Sequence, residues 1–336
     1  MDILGISCYY HDAAAVLLRD GHLVAAAEEE RFSRIKHDYG FPKQAIKFCL
    51  EQGGITGPDL DYVVFFEKPF RKLDRILMTT LQTYPKSWKV FRESMITWML
   101  DKLWVGSTLQ SELNVPKSKV LFSEHHLSHA ASAFLCSPFE EAAILTVDGV
   151  GEWVTATYGV GKGNQIKLNK QIEFPHSVGL LYSAFTAFLG FEVNEGEYKV
   201  MGMAPYGQPR YVDKVWKLIQ QNRDGSFALD MDYFCFHHST DQTYSRKFVQ
   251  LFGDPRDTKL NFFTKGTGYP KYFGDKPSNY EELCRVNQHY ADIAASIQKV
   301  TEELLIGMAR NVHQQTGLKK LCIAGGVGLN SVANSR

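Results

Sequence analysis

The chain has 336 residues, enough for about two domains of ~150 residues each. Hydrophobic residues make up 44% and charged residues 22%, a globular composition that excludes an intrinsically disordered chain. Lys and Arg together number 37, and Asp and Glu together also number 37, so the formal net charge is zero. A chain without net charge has no overall electrostatic field that attracts nucleic acid or an anionic membrane. The sequence has neither a long apolar run nor a basic leader, and its six cysteines form no CxxC pair. We therefore predict a cytoplasmic protein with reduced thiols and with no membrane or nucleic-acid partner.

The first part of the chain is predicted to form strands, followed by helices bounded by Gly and Pro. Asp20-Gly21 is a typical hairpin turn between two of these strands. The predicted strands are 3–7, 13–18, 23–27, 62–66 and 120–122, and the predicted helices are 42–52, two within 71–113, and 125–135.

The opening pattern returns near the middle of the chain. A strand over 143–147, a polar turn that begins at Asp148 and a strand over 153–159 repeat the order of the first hairpin. We interpret this as a duplicated sheet; the alternative is that β-meanders are common. The rest is predicted to hold helices over 178–189, 210–221 and 288–316, an irregular insertion over 224–285, and a strand over 319–324 before a glycine turn and a helix. The chain stops about two turns into that helix, so we expect a fragment of something longer.

Three histidines lie within five residues at a predicted strand–helix junction. On a helix, His125 and His129 project from one face about 5–6 Å apart, which suits two ligands of one metal ion. His126 stands where the HExxH proteases carry their general base, so protease chemistry is not expected. The alternative is a group of ordinary surface or helix-end histidines.

Asp148 is the candidate third ligand. It follows a buried apolar strand, where a carboxylate is unfavourable unless it meets a cation or strong donors. Two histidines and one aspartate suit iron or manganese as well as zinc. The alternative is a turn-capping Asp-Gly pair.

Three further segments carry weaker indications of a site. The turn at residues 325–328 can bring backbone N–H groups against a nucleotide or phosphate, although such turns are often plain packing. Residues 195–207 suggest either a loop beside a polar ligand or a solvated surface loop. His11 and Asp12 lie at the tip of the first hairpin, and a mixed charge run follows at residues 28–38.

Six ordered blocks together resemble the NodU/CmcH family of O-carbamoyltransferases. The blocks are HDAAAVLLRDG, EEERFSRIKHD, HHLSHAASAF, LTVDGVGEW, EGEYKVMGMAPYG and LCIAGGVGLNSVAN. They extend over nearly the whole chain.

The resemblance implies an α/β, two-lobed actin-like ATPase (ASKHA, Kae1-like) fold with a duplicated β-sheet. We predict a first lobe over 1–142, with a helical insertion at about 71–113. The second lobe is predicted over 143–336, with an insertion at about 224–285 and an incomplete C-terminus. In the family, a YrdC-like domain follows and makes carbamoyl-adenylate from carbamoyl phosphate and ATP.

The resemblance also implies the metal ligands. The family's HxxxH pair falls on His125 and His129, and its VDG aspartate falls on Asp148. Fe(II) is the expected ion, with Zn and Mn as alternatives. A further aspartate ligand of the family would lie past Arg336.

The remaining family positions are those of the reaction cleft and the nucleotide. His11 and Lys36 match residues that line the cleft, and His11 or Asp12 is the candidate base. The stretch that meets the adenosine of the adenylate matches Gly325, Gly326 and Asn330.

The implied activity is transfer of a carbamoyl group to a hydroxyl of a sugar or an aminoglycoside-like acceptor. One alternative is a nucleotide- and metal-binding module with a regulatory or scaffolding role. Another is Kae1-like threonylcarbamoyl transfer to tRNA, against which the zero net charge argues. We expect that this chain alone does not turn over carbamoyl phosphate and ATP.

Overall fold

The computed structural model describes residues 1–100, 102–222 and 224–336. Its contacts divide the chain into two units. Unit 1 comprises Met1–Leu81 and Val90–Ser128, and unit 2 comprises Gln82–Lys89 and His129–Arg336. The last change from unit 1 to unit 2 along the chain falls between residues 128 and 129, within a helix. The two predicted lobes, 1–142 and 143–336, remain a prediction.

Unit 1 is built on a sheet with the order β3-β2-β1-β4-β5. The strands are β1 (Asp2–Ser7), β2 (Ala14–Arg19), β3 (His22–Glu28), β4 (Tyr62–Phe65) and β5 (Val120–Phe122). The first three are antiparallel, while β4 runs parallel to β1 and β5 parallel to β4. Asp20 and Gly21 both have positive φ, 51° and 80°, as a tight hairpin turn with right-handed strand twist requires.

The helices of the first part connect these strands. They are α1 (Glu30–Ser33), α2 (Lys43–Gly53), α3 (Pro69–Thr83), α4 (Trp88–Leu100), α5 (Val105–Leu113) and α6 (His125–Phe134). The prediction of two helices within 71–113 was wrong, because three α-helices overlap that range. Pro85 lies in the gap between α3 and α4, where a proline limits continuation of the helix.

Unit 2 contains a second sheet with the order β11-β6-β7-β8. Its strands are β6 (Glu141–Val147), β7 (Val154–Lys162), β8 (Gln165–Glu173) and β11 (Leu321–Ala324), and a separate hairpin joins β9 (Ile219–Gln221) to β10 (Phe227–Leu229). β6, β7 and β8 are antiparallel, and β11 runs parallel to β6. The predicted α/β fold with a duplicated sheet is confirmed.

The remaining helices differ from the prediction in several places. They are α7 (Val178–Phe188), α8 (Glu197–Met203), α9 (Val212–Trp216), α10 (Arg246–Phe252), α11 (Tyr280–Thr316) and α12 (Ser331–Asn334). Residues 195–207 were predicted to form a loop but contain α8, whose first turn is stabilised by Glu197 accepting the Asn194 N–H at 3.0 Å.

Two further predictions are corrected by local contacts. The predicted helix over 210–221 stops at Trp216, because residues 219–221 pair with β10 across a turn that contains Gly225 at φ 77°. The long helix predicted from residue 288 begins at Tyr280, whose ring stacks on Phe263 at a centroid distance of 5.5 Å. The first turns of α11 therefore occupy the end of the insertion predicted to be irregular.

Each unit has its own apolar core. In unit 1, Leu4, Leu17 and Phe65 from the sheet are fully or almost fully buried with residues of α2 and α5. In unit 2, α7 and α11 contribute about half of the residues in the buried cluster that includes Leu145 and Val147 of β6. Within the described residues, no helix combines the length and the apolar character needed to cross a membrane.

Candidate functional site

The start of α6 is fixed by the segment that follows β4. The Ser123 N–H donates to the Phe65 carbonyl at 2.9 Å, and Ser128 Oγ donates to the Phe66 carbonyl, also at 2.9 Å. Lys68 Nζ donates to Glu124 Oε1 at 2.9 Å. These contacts fix the first turn of α6, which carries His125, to the end of β4 and the residues after it.

His125 is buried beside the carboxylate of Glu67, which lies in the segment after β4. Its Nδ1 lies 3.6 Å from Glu67 Oε2, and its ring meets the Phe66 ring edge-on at 5.6 Å between centroids. Glu67 is buried as well, and Lys72 Nζ contacts both of its oxygens at 3.1 and 2.9 Å. Burial alone would raise the pKa of the Glu67 carboxyl, but His125 and the Lys72 ammonium lower it to about 2. Glu67 is therefore an anion next to the imidazole.

Asp148 lies in unit 2 directly after β6, at the end where the parallel strand β11 also finishes. The Gly326 N–H donates to its Oδ1 at 3.0 Å, so the glycine turn after β11 holds this carboxylate. Gly325 has φ 94°, and a Cβ there would overlap the Val147 carbonyl oxygen, so the turn requires glycine. Ser177 Oγ lies within hydrogen-bond distance of the Asp148 carbonyl at 3.1 Å and fixes the backbone on the other side.

The second oxygen of Asp148 faces a histidine. Asp148 Oδ2 lies 3.6 Å from His129 Nε2. His125 and His129 are one turn apart on α6, as predicted, so both can present a ring nitrogen from the same face of the helix. Two imidazoles and one carboxylate form a mixed donor set that suits Fe(II), Mn(II) or Zn(II). The donor chemistry of these residues therefore fits a divalent transition metal.

Asp12 joins two histidines in unit 1. His11 Nδ1 lies 2.8 Å from Asp12 Oδ2, and His37 Nδ1 lies 2.8 Å from Asp12 Oδ1. Burial would raise the pKa of Asp12, but hydrogen bonds from both histidines lower it. Asp12 also has φ 50°, a left-handed conformation that aspartate tolerates better than most residues. It is therefore an ionised acceptor that orients two imidazoles.

Glu30 lies close to this group. Its carboxylate accepts the His37 N–H at 3.0 Å, and ligand atoms of Asp12, Glu30 and His37 lie within 4.8 Å of one another. These distances are explained by the hydrogen bonds within the group. Lys36 is exposed and precedes His37 in the loop after α1.

The predicted nucleotide residues occupy two kinds of environment. Gly326 is exposed, with its N–H directed at Asp148. Asn330 is buried: its amide exchanges hydrogen bonds with Gln298 at 3.0 and 3.1 Å, and its Oδ1 caps α12 by accepting the Ala333 N–H at 3.0 Å. Asn330 therefore shapes the turn through packing and capping, whereas the Gly325-Gly326 backbone forms its surface.

Glu67 and His37 were not predicted as site residues from the sequence. Glu67 had a usable indication, because it follows a buried strand end as Asp148 does. His37 lies within a mixed charge run, and no spacing relates it to Asp12, which is 25 residues away.

The family match covers the whole fold just described. The family model "Carbamoyltransferase N-terminus" matches residues 2–336. The chain belongs to this family, as the six sequence blocks predicted.

Several known proteins are similar to this chain. The chain is 46% identical to the uncharacterized protein sll1178 of Synechocystis over 99% of this chain and 52% of that protein. It is 32% identical to the nodulation protein NolNO of Sinorhizobium fredii over 98% of this chain and 42% of that protein. Among solved structures, HypF of T. kodakarensis aligns at 13% identity and a TM-score of 0.42 over 99% of this chain and 42% of HypF. The chain thus spans about half the length of the curated relatives it matches.

Proposed function

We propose that this chain transfers a carbamoyl group from carbamoyl-adenylate to a hydroxyl of a small-molecule acceptor, a sugar or an aminoglycoside-like compound. The observation that carries the proposal is the match to the carbamoyltransferase family over residues 2–336. The arrangement of Asp148, His129 and the glycine turn in unit 2 supports it, because a charged ligand group is held there by dedicated contacts.

The metal site of this proposal consists of His125, His129 and Asp148, with Fe(II) as the expected ion and Zn(II) or Mn(II) as alternatives. When bound, a divalent ion supplies Lewis-acid stabilisation of negative charge on a phosphoryl or carbonyl oxygen. The chain's own contribution is orientation. The Gly326 N–H occupies Asp148 Oδ1, which leaves Oδ2 directed at the histidine side.

His11 is the proposed base of the transfer step. A sugar hydroxyl is a poor nucleophile until its proton is removed, and a positioned imidazole does this at neutral pH. Asp12 engages His11 Nδ1 and thereby leaves Nε2 as the acceptor. As the hydroxyl oxygen bonds to the carbamoyl carbon, the bond from that carbon to the AMP oxygen breaks. The hydroxyl proton moves to His11 Nε2, and AMP leaves with the electron pair.

The glycine turn is proposed to bind the adenylate. The surface of the Gly325-Gly326 turn is proposed to meet the adenosine. Asn330 supports that turn from beneath, through its hydrogen bonds to Gln298.

The donor is proposed to come from a YrdC-like domain that makes carbamoyl-adenylate from carbamoyl phosphate and ATP. This division of labour predicts that the 336-residue chain, given carbamoyl phosphate, ATP and Fe(II), releases no pyrophosphate above the background. Steady pyrophosphate release by the chain alone would place adenylate formation in this part instead.

The transfer step is tested directly with freshly prepared carbamoyl-adenylate. The purified chain is loaded anaerobically with Fe(II) and offered a panel of sugars and aminoglycosides. AMP release is followed by chromatography and the carbamoylated acceptor by mass spectrometry. We expect release that depends on the acceptor and is lost in His129→Ala. AMP release that is equal with and without every acceptor, or unchanged in His129→Ala, contradicts the proposal.

A further inference from the structure

The segment Phe66–Lys72 contains a buried ion pair whose position calls for an explanation beyond stability. Glu67 and Lys72 have only 5% and 7% of their surface exposed, and Lys72 Nζ reaches both carboxylate oxygens. A buried pair of this kind contributes little net stability, because the loss of hydration offsets most of the attraction between the charges. An apolar pair of similar volume would serve the core equally well.

The carboxylate of this ion pair lies beside the imidazole of His125. Glu67 Oε2, the oxygen nearer to Lys72, is also the oxygen that lies 3.6 Å from His125 Nδ1. The neighbouring residues in the same segment hold the two partners in register: Phe66 contacts the His125 ring, and Lys68 engages Glu124. The carboxylate and the imidazole are therefore fixed relative to each other by contacts on both sides.

We propose that Glu67 is a positioning residue for the metal site: its carboxylate holds the proton of His125 on Nδ1 and so leaves Nε2 as the bare ligand nitrogen. The inference rests on the proposed metal site. A neutral imidazole carries one proton, and a metal ligand must present its other nitrogen without one. A carboxylate next to the non-ligating nitrogen fixes both the tautomer and the ring orientation. Lys72 contacts both oxygens of this carboxylate and holds it in place, so that it does not itself turn toward the metal.

The first test needs no metal. Histidine is labelled with 15N, and the ring nitrogens are observed by NMR at mildly alkaline pH, where a free imidazole is neutral. His125→Gln assigns the signals. In the wild type we expect His125 to be in the Nδ1–H form, whereas most free histidines prefer the other tautomer. Glu67→Gln should shift the signals toward a mixture. An unchanged tautomer in Glu67→Gln overturns the assignment, whatever the metal does.

The second test measures metal affinity. Co(II), a spectroscopic substitute for Fe(II), is titrated against a competing chelator, and its visible absorption reports the coordination geometry. Glu67→Gln is expected to weaken Co(II) binding by about 10–100-fold, the usual effect of losing a carboxylate partner of a histidine ligand. The matched control is Glu51→Gln on α2, which removes one exposed carboxylate of the same unit that lies beside Lys47 and not beside His125; the Co(II) affinity of this variant should stay within about threefold of the wild type.

Two further variants separate positioning from folding. Glu67→Gln/Lys72→Met removes both buried charges and should retain the melting temperature while it still binds Co(II) weakly. Glu67→Asp restores the carboxylate and should recover part of the affinity. If the wild type binds Co(II) and Glu67→Gln binds it equally well, the positioning role fails while the metal site stands. A different outcome is that the wild type binds no metal but Glu67→Gln still changes the tautomer of His125. The proposed function then loses its metal site, while the contact between Glu67 and His125 stands.

Discussion

The two units use the same strand plan for different purposes. In each, a meander of antiparallel strands is followed by a strand that returns parallel to the first, β4 beside β1 and β11 beside β6. The connection after the first strand has the same length in both, residues 8–13 and residues 148–153. Each connection carries one aspartate with arranged partners, Asp12 in unit 1 and Asp148 in unit 2.

The partners of these two aspartates differ in kind. Asp12 accepts from imidazoles on both oxygens, so both oxygens are already engaged by His11 and His37. Asp148 accepts a backbone N–H on Oδ1 and has one histidine near Oδ2. Position in the fold therefore does not set the role of the aspartate. The residues brought in by the rest of each unit decide whether the carboxylate orients a base or offers itself to a cation.

The strongest test of this contrast is metal binding by matched variants. Asp148→Asn should weaken Fe(II) or Co(II) affinity by at least about 100-fold, because loss of a ligand exceeds the 10–100-fold effect of losing a supporting partner. Asp12→Asn should leave metal affinity within about threefold of the wild type. Equilibrium dialysis with metal analysis measures both. Equal losses in the two variants would show that the aspartates share one role.

The second test is the rate of carbamoyl transfer at saturating metal. Asp12→Asn leaves His11 without its anionic partner, so we expect kcat to fall by about 10²–10⁴-fold, the range of general-base effects. The pH dependence should also change, because the orienting carboxylate is gone. His37→Gln removes the other partner of Asp12 and should lower kcat less than Asp12→Asn does. A normal rate in Asp12→Asn would reject the base assignment.

The strand plan was predicted well from the sequence, because strand ends, tight turns and helix spacing depend on residues that are close together in the chain. The Asp20-Gly21 turn, the strand ends at Ser7 and Val147, and the i, i+4 spacing of His125 and His129 all depend on neighbours within a few residues. The start of α11 was predicted at residue 288, whereas the helix begins at Tyr280. The ring of Tyr280 stacks on Phe263, a contact that the hydrophobic periodicity of the helix does not indicate.

The candidate site was only partly predictable for the same reason. Glu67 meets His125 across 58 residues of chain, through the parallel pairing of β4 and β5 that sets the two segments side by side. The rule that indicated Asp148, an acid directly after a buried strand, applies equally to Glu67. Its partner Lys72, on the first turn of α3, could not have been chosen from spacing alone.

The glycine turns of the two units offer a structural test. Gly21 has φ 80° with open space around it, whereas Gly325 has φ 94° and is pressed against Val147. Gly21→Ala should lower the free energy of unfolding by about 1 kcal/mol, from backbone strain alone. Gly325→Ala should lower it by about 3 kcal/mol, because overlap adds to the strain. Denaturant titration measures both, and equal losses would mean that the turn at Gly325 relaxes freely.

The smallest expected effect concerns acid and again separates the units. The histidines of the Asp12 group are hydrogen-bonded to a carboxylate, whereas burial, with His238 and Lys86 nearby, lowers the pKa of His237 in unit 2 to about 4. Above the ordinary value of 6.5 this histidine is neutral in both folded and unfolded chains and has no effect on stability. As the pH falls from 6.5 toward 4, His237 binds a proton in the unfolded chain but stays neutral in the folded chain, so stability is lost across that window. His237→Gln, which cannot titrate, should melt close to the wild type at about pH 7.5 and lose less stability by about pH 5. If lowering the pH reduces the melting temperatures of the wild type and the variant equally, His237 does not control the acid response. Another titratable group in the chain then does.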